Sequence, residues 1–201
     1  VPIIKQKTLT LGVSWSRKYK SGKGIVTTSL SSNKLINDFS RFSNNILQSG
    51  IIYKNDSKEQ ESKLRVHFKE FKEKFKLSYG FNLQHSSYFN NTQIIQNQVN
   101  YYTSIDFFKY GFFGNFSRYF FDDKLSFSLG VRTDGDTFTN GSGLLNNISP
   151  RVSVSYKISE DQKWRLNSSV GSYFKIPTYT TLGYKNSDDN FINKKNKYIQ
   201  S

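Results

Sequence analysis

The sequence predicts an all-β protein whose neighbouring strands run antiparallel, and two observations support this fold class. The first is an alternation of apolar and polar residues, clearest in residues 125–132, where odd positions hold Leu, Phe, Leu and Val and even positions hold Ser, Ser, Gly and Arg. Because the side chains of a strand point alternately to its two sides, this segment has one apolar face. The second is the turn Asp-Asp-Lys at residues 122–124, which follows the aromatic end of residues 110–121. The two segments are therefore predicted to form a β-hairpin.

Two strands are predicted at the start of the chain. Residues 8–19 and 24–33 alternate on either side of a turn at residues 20–23. The apolar spacing of Phe39 and Phe42 allows the second strand to continue.

Residues 59–69 have the most regular alternation of the chain. One face carries only ionisable side chains, namely Glu59, Glu61, Lys63, Arg65, His67 and Lys69. The other face carries Ser62, Leu64, Val66 and Phe68. A turn at residues 72–74 then leads to a strand at residues 75–84, in which apolar and polar residues again alternate.

The last pair of predicted strands follows the hairpin. Residues 151–158 and 164–170 alternate and are joined by a turn at residues 159–162. From residue 174 onward the chain is polar and shows no period. The whole chain is thus predicted to contain about eight strands.

The connections between these strands alternate in length. Short turns lie at residues 20–23, 72–74, 122–124 and 159–162, and long polar loops at residues 44–57, 90–100, 133–147 and from 174 onward. Outer-membrane barrels have short periplasmic turns at one rim and long extracellular loops at the other, and their strands need about 9–11 residues to cross the bilayer. We therefore predict an antiparallel transmembrane β-barrel, to which this chain contributes about eight strands of a larger barrel.

The barrel interpretation assigns one face of each strand to the lumen and the other face to lipid. Charges such as those in residues 59–69 are costly in a dry core but are ordinary in a water-filled lumen. The candidate lumen-facing residues are Lys63, Arg65, His67, Asn82 and Arg132, with Ser128 on the same side. The residues predicted to face lipid are Leu64, Val66, Phe68, Leu77, Tyr79, Phe81, Leu125, Phe127, Leu129, Val152, Val154 and Leu166, with Phe112, Phe116 and Phe120 assigned to the same side.

Composition and motifs argue against several other classes of protein. The net charge of +14 raises the alternative of a soluble basic β-protein that binds nucleic acid, but the basic residues are scattered, so no nucleic-acid partner is predicted. There is no cysteine, and only two histidines, so no catalytic set, metal site or cofactor is predicted and the protein is expected not to be an enzyme. Asp134, Asp136 and Asn140 weakly resemble a calcium loop, but an ordinary polar loop explains them.

Several stretches resemble one family of membrane proteins. They are YGFFGNFSRYFFDDKLSFSLGVRTDG at 110–135, ISPRVSVSYKI at 148–158, KWRLNSSVGSYFKIPTYTTLGY at 163–184 and NKKNKYIQS at 193–201. The Ser-Pro-Arg step before a strand and the proline-containing loop that ends in Leu-Gly are similar to TonB-dependent outer-membrane receptors of the Bacteroidetes type. The resemblance covers about half of the chain. The earlier half agrees with it in the alternation of short turns and long loops between its strands.

The resemblance implies a barrel of about 22 strands around a plug domain. Residues 1–201 would then be part of the barrel, without the plug and the closing strands, and the absence of Met at position 1 agrees with a segment of a longer chain. It also implies a location in the Gram-negative outer membrane and energy-coupled uptake of a nutrient, with siderophore, glycan and peptide classes all open. The implied partners are the lipid bilayer, the rest of the barrel with its plug, and the TonB energy-coupling protein, while a surface lipoprotein partner is left open. A passive porin or a barrel-based adhesin is the alternative function.

Overall fold

The computed structural model describes residues 2–44, 46–95, 98–140, 143–159, 163–195 and 199–200. Most of them belong to one antiparallel sheet, whose strands are β1 (Ile3–Lys18), β2 (Gly24–Asn44), β3 (Ser49–Phe71), β4 (Phe75–Ile94), β5 (Val99–Phe120), β6 (Leu125–Asp136), β7 (Ile148–Lys157) and β8 (Arg165–Gly171). Each strand pairs with its neighbours in chain order. Within the described residues no ladder joins β1 to β8, so the sheet is open. The predicted all-β, antiparallel, partial-barrel fold of about eight strands is confirmed.

The strands β2 to β5 are much longer than predicted. They contain 21, 23, 20 and 22 residues, roughly twice the number that crosses a bilayer. The predicted long loops at residues 44–57 and 90–100 are therefore wrong, since only residues 45–48 and 95–98 separate the paired strands. The Asn, Ser, Asp and Lys residues there have low strand propensity, but ladder pairing between long neighbouring hairpins overrides it.

The short turns lie where the sequence predicted them. Phe75 pairs with Arg118 and Phe120 with Leu125, which places the turns at 72–74 and 121–124 at the same rim of the sheet. In the second turn, the Lys124 backbone N–H donates to the Phe121 carbonyl at 3.0 Å. We call this edge the short-turn rim. In the predicted turn at 159–162, residues 160–162 lie outside the described residues.

The long loop predicted at residues 133–147 is shorter in the structure. Strand β6 continues to Asp136, and the remaining connection to β7 contains a 3₁₀ turn at Leu144–Asn146. Residues 141–142 of this connection lie outside the described residues.

Ladder pairing defines two faces of the sheet, because residues directly opposite each other point to the same side. One face, the apolar face, contains every residue that the sequence predicted to share the lipid-facing side: Val66 opposite Phe81, Phe68 opposite Tyr79, Leu77 opposite Phe116, Phe116 opposite Leu129, Leu129 opposite Val152, Phe127 opposite Val154, and Leu125 opposite Tyr156, which is opposite Leu166. Leu64 pairs with Leu83 on the same side. The opposite side is called the polar face.

The chain after β8 folds back onto the polar face. This C-terminal segment, residues 172–195, contains β9 (Phe174–Lys175), which pairs with β10 (Ile199–Gln200), the helix α1 (Tyr179–Leu182) and a 3₁₀ turn at Ile192–Lys195. The buried hydrophobic residues of the described chain form one small cluster that joins the segment to the sheet: Tyr88, Ile105, Phe107 and Leu182. None of the described helices is long and apolar enough to span a bilayer.

Candidate functional site

The five candidate lumen-facing residues lie together on the polar face. Along the ladders, Lys63 is opposite Gln84, Arg65 is opposite Asn82, and His67 is opposite Gly80. Gly80 is opposite Phe113, which is opposite Arg132. The candidates therefore occupy three adjacent ladder rows, and we call Lys63, Arg65, His67, Asn82 and Arg132 the basic patch.

An aromatic ring holds part of this patch in place. The Arg65 guanidinium carbon lies 4.9 Å from the centre of the Phe113 ring, and the His67 ring centre lies 5.4 Å from it. A Cβ atom on Gly80 would clash with the Val66 backbone carbonyl and come within 2.8 Å of the Phe113 ring, so glycine allows both close approaches. His67 Nε2 is 2.7 Å from Ser78 Oγ. The patch is therefore preorganised by packing and hydrogen bonds.

The carboxylates that weakly resembled a calcium loop already have partners in the protein. Asp134 accepts hydrogen bonds from Arg132 Nε at 2.6 Å and Nη2 at 2.7 Å. Buried Asp136 accepts from the backbone N–H of Phe138 at 2.7 Å and from the backbone N–H and hydroxyl of Thr139 at 2.6 and 2.7 Å. In the described part of the chain no group of three or more His, Asp or Glu residues could hold a metal ion.

No prediction from the sequence included the polar cluster centred on Tyr179. The Tyr179 hydroxyl donates a hydrogen bond to Glu61 Oε1 and accepts one from Lys109 Nζ at 2.6 Å, and Ser86 Oγ lies 3.1 Å from it. Glu61 also forms ion pairs with Lys63 at 2.6 Å and with Lys109 at 3.5 Å. Burial, reinforced by the hydrogen bond to Glu61, raises the pKa of the Tyr179 hydroxyl, so the group remains a donor. This Tyr179 cluster fixes α1 to three strands.

Two signals in the sequence could have revealed the docked segment. Tyr88, Ile105 and Phe107 are large apolar residues at positions that belong to the polar face, where the barrel interpretation expects polar ones. In the C-terminal segment, Tyr179 and Leu182 have the spacing of one face of a helix. Together these residues indicate that something apolar covers the polar face near β4 and β5.

A cavity of about 530 Å³ lies beside the Tyr179 cluster, farther from the short-turn rim. Its wall consists of four tyrosines, three asparagines, four Ser or Thr residues and one carboxylate: Asn37, Tyr53, Asn55, Ser57, Glu59, Tyr88, Asn90, Thr92, Tyr101, Thr103, Thr180 and Tyr184. Ten of these residues come from the sheet, and Thr180 and Tyr184 come from the C-terminal segment. We call it the tyrosine cavity.

A second cavity, of about 620 Å³, opens near the short-turn rim and has a basic wall. Its charged lining residues are Lys72, Glu73, Lys74, Lys76, Asp123, Lys124, Lys157 and Arg165. The polar face therefore changes from mostly basic near the short turns to mainly hydroxyl and amide chemistry, with the one carboxylate of Glu59, in the tyrosine cavity.

The family model described as "TonB dependent receptor-like, beta-barrel" matches residues 4–197, nearly the whole chain. The chain belongs to this family of TonB-dependent receptor barrels. The match confirms the family resemblance read from the sequence. The assignment to the Bacteroidetes type stays a prediction. No curated protein sequence matches the chain.

Solved transporter structures share the fold of this TonB-dependent receptor segment. The copper transporter OprC is 16% identical, with a TM-score of 0.66 over 88% of this chain and 32% of its own. The RagAB peptide importer in its "open-open" state is 12% identical, with a TM-score of 0.50 over 89% of this chain and 24% of its own. The chain thus spans about a third or less of these proteins, and at such identities the likeness shows the fold alone.

Proposed function

We propose that this chain forms part of the wall of an outer-membrane barrel that takes up a nutrient with energy supplied through TonB. The observation that carries the proposal is the exposure of the apolar face. Leu11, Leu129 and Val170 on that face are 65%, 50% and 73% exposed, and large exposed hydrophobic residues lie on it in every strand except β3. The residues of β3 on that face, Leu64, Val66 and Phe68, are half-buried. A contiguous apolar surface of this kind is rare in water-soluble proteins, whereas lipid covers it in a membrane barrel.

The extent of the apolar surface supports a membrane location. On β4 it covers the nine residues from Phe75 to Leu83 and is followed by His85, whose Nε2 lies 2.8 Å from Asp106 Oδ1 on the neighbouring strand. Beyond this hydrogen bond the same side of β4 carries Ser87, Phe89 and Asn91. The apolar surface thus has the height of a bilayer crossing, about 9–11 residues at a tilt, and the rest of each long strand extends beyond the lipid.

The polar face would then line the lumen, with the basic patch at its centre. The two open edges, β1 and β8, need further strands, because each unpaired backbone group in lipid costs several kcal/mol. We therefore propose that residues 1–201 are a partial barrel, completed by other strands and occupied by a plug domain. TonB and the outer membrane are the proposed partners, a surface lipoprotein is left open, and no enzymatic step is proposed.

Copper is not the proposed cargo of this segment. Copper sites use Cys, Met or His ligands. The chain has no cysteine or methionine, and its two histidines bond Ser78 and Asp106 respectively. The proposed cargo is an organic nutrient.

Two measurements on the full-length protein test this function. Purified protein in a planar bilayer should show no steady ion conductance, because a plug closes the lumen. Deletion of its gene should remove growth on the same nutrient whose use is lost when the energy-coupling protein is deleted. A large open-channel conductance would instead show the passive porin, and a deletion that changes only surface attachment would show the adhesin.

A further inference from the structure

We propose that the tyrosine cavity binds a neutral oligosaccharide. This inference rests on the proposed uptake function and specifies the substrate class. The volume of about 530 Å³ lies within the range of roughly 300–1,000 Å³ found for small-ligand sites. Its position, on the polar face and beyond the apolar surface, places it where a substrate arriving from outside would first meet the lumen.

The aromatic part of the wall fits the apolar faces of sugar rings. Tyr53, Tyr101 and Tyr184 line the cavity, and Tyr88, which is 2% exposed, forms its floor. Tyr101 and Tyr184 stack with ring centres 6.2 Å apart and planes 24° from parallel. Tyrosine has a flat apolar ring and a polar hydroxyl, so one side chain can both stack against a sugar ring and hydrogen-bond to its hydroxyl groups.

The polar part of the wall fits groups that both donate and accept hydrogen bonds. Asn55 Nδ2 donates to Asn90 Oδ1 at 2.6 Å and to Thr92 Oγ1 at 2.7 Å, so the amides are held in a fixed network. Amide and hydroxyl side chains carry donors and acceptors side by side, as the hydroxyl groups of a sugar do. The carboxylate of half-buried Glu59 in the same wall supplies further acceptors for such hydroxyls.

The same wall is poorly suited to a peptide or an anion. It lies over the face of the sheet, where the backbone groups of β3, β4 and β5 are already paired, so a peptide could not add as a further strand. No Lys or Arg lines the cavity to bind a terminal carboxylate. Arg41 lies opposite Tyr53 on the neighbouring strand but does not line the cavity. On the side of the Tyr179 cluster, Lys63 and Lys109 are paired with Glu61.

The wall contributed by the C-terminal segment is held in place before any ligand binds. The Gly183 carbonyl accepts hydrogen bonds from Tyr101 Oη and Thr103 Oγ1, both at 2.7 Å. Tyr101 Oη in turn accepts from the Lys185 backbone N–H at 3.0 Å. Preorganisation of this kind reduces the entropy lost on binding.

The test uses the full-length receptor in detergent, screened against an array of neutral oligosaccharides and an array of tri- to octapeptides. We expect binding to one or more oligosaccharides, with affinity reduced about tenfold or more by Tyr53→Ala and by Asn37→Ala. The controls are Tyr102→Ala and Asn91→Ala, which remove the same residue types from the opposite face of β5 and β4 and should change affinity less than twofold. Heat-modifiable migration on gels verifies that each variant is folded.

Three results would overturn the inference. They are binding of no oligosaccharide, equal effects of cavity and control variants, and binding of peptides that Tyr53→Ala abolishes. The bilayer conductance and gene-deletion growth measurements do not depend on these outcomes. Loss of the oligosaccharide inference would therefore leave the proposed uptake function standing.

Discussion

The two halves of the long strands β4 and β5 differ in the face on which this chain buries or exposes their apolar residues, although Phe89 and Tyr102 keep aromatic rings on the apolar face in the half far from the short turns. Near the short-turn rim, the exposed apolar residues of β4 are at odd positions, such as Phe81 and Leu83. Farther along the same strand the buried residues are at even positions, Ser86, Tyr88 and Asn90. Strand β5 shows the same exchange, with Phe108 and Phe112 exposed on one face and Thr103, Ile105 and Phe107 buried on the other.

This difference between the two halves shows that one strand can be adapted to two different surroundings along its length. In the first half the apolar face has nothing from this chain against it, and in our proposal it meets lipid. In the second half the C-terminal segment covers the polar face, so the apolar residues there form a small core. The face that carries the apolar residues thus indicates what the strand contacts along its length. Where the apolar residues move from odd to even positions, the strand contacts a different partner.

The largest expected effect concerns the small core that covers the second half of strands β4 and β5. Leu182 is completely buried, so Leu182→Ala should weaken docking of the C-terminal segment by about 2–5 kcal/mol. Hydrogen exchange of residues 174–195 in the full-length receptor measures this docking locally. Ile192→Ala is the matched control, since Ile192 is 48% exposed in the same segment, and it should leave exchange nearly unchanged. Equal protection in both variants would mean that the core does not hold the segment.

The next effect concerns the apolar face near the short-turn rim, which is proposed to meet lipid. A charge placed on the apolar face, as in Phe127→Arg, should cost roughly 2–4 kcal/mol of unfolding free energy in lipid vesicles. Ser128→Arg places the same charge on the polar face of the same strand, where Ser128 faces Ser117, and should cost much less. Denaturant unfolding of the refolded full-length barrel compares the two. Equal costs would contradict the assignment of faces.

A smaller effect concerns the hydrogen bond at the centre of the Tyr179 cluster. Tyr179→Phe removes a donor to the ionised Glu61 and should reduce protection of the C-terminal segment by about 1.5–3 kcal/mol. Because burial raises the pKa of Tyr179 above its usual value near 10, the bond should persist unchanged between about pH 6 and 9. Tyr173→Phe is the control, since Tyr173 lies outside the cluster beneath Arg151. A Tyr179→Phe variant with full protection would show that the hydroxyl does not contribute.

The sequence predicted the part of the fold that obeys a local period. Strand faces and short turns follow from alternation and turn residues, and for that reason the positions of Lys63, Arg65, His67, Asn82 and Arg132 on one face could be read directly. The long polar arms of β2 to β5 could not, because ladder pairing in them outweighs low strand propensity. The Tyr179 cluster joins residues 118 positions apart, and no local pattern specifies such a contact.

In this account, β4 meets lipid on its apolar face near the short-turn rim and is covered by the C-terminal segment on its polar face farther along. Its most direct test is a scan of single spin-labelled cysteines along residues 77–92 of β4 in the full-length receptor in lipid vesicles. The 201 residues contain no native cysteine to interfere. Labels at odd positions up to 83 should be accessible to oxygen dissolved in lipid, whereas odd positions from 85 should be accessible to a water-soluble nickel complex. Positions 86, 88 and 90 should be shielded from both probes. Oxygen accessibility that continues at odd positions to 91, or that never alternates, would contradict the account.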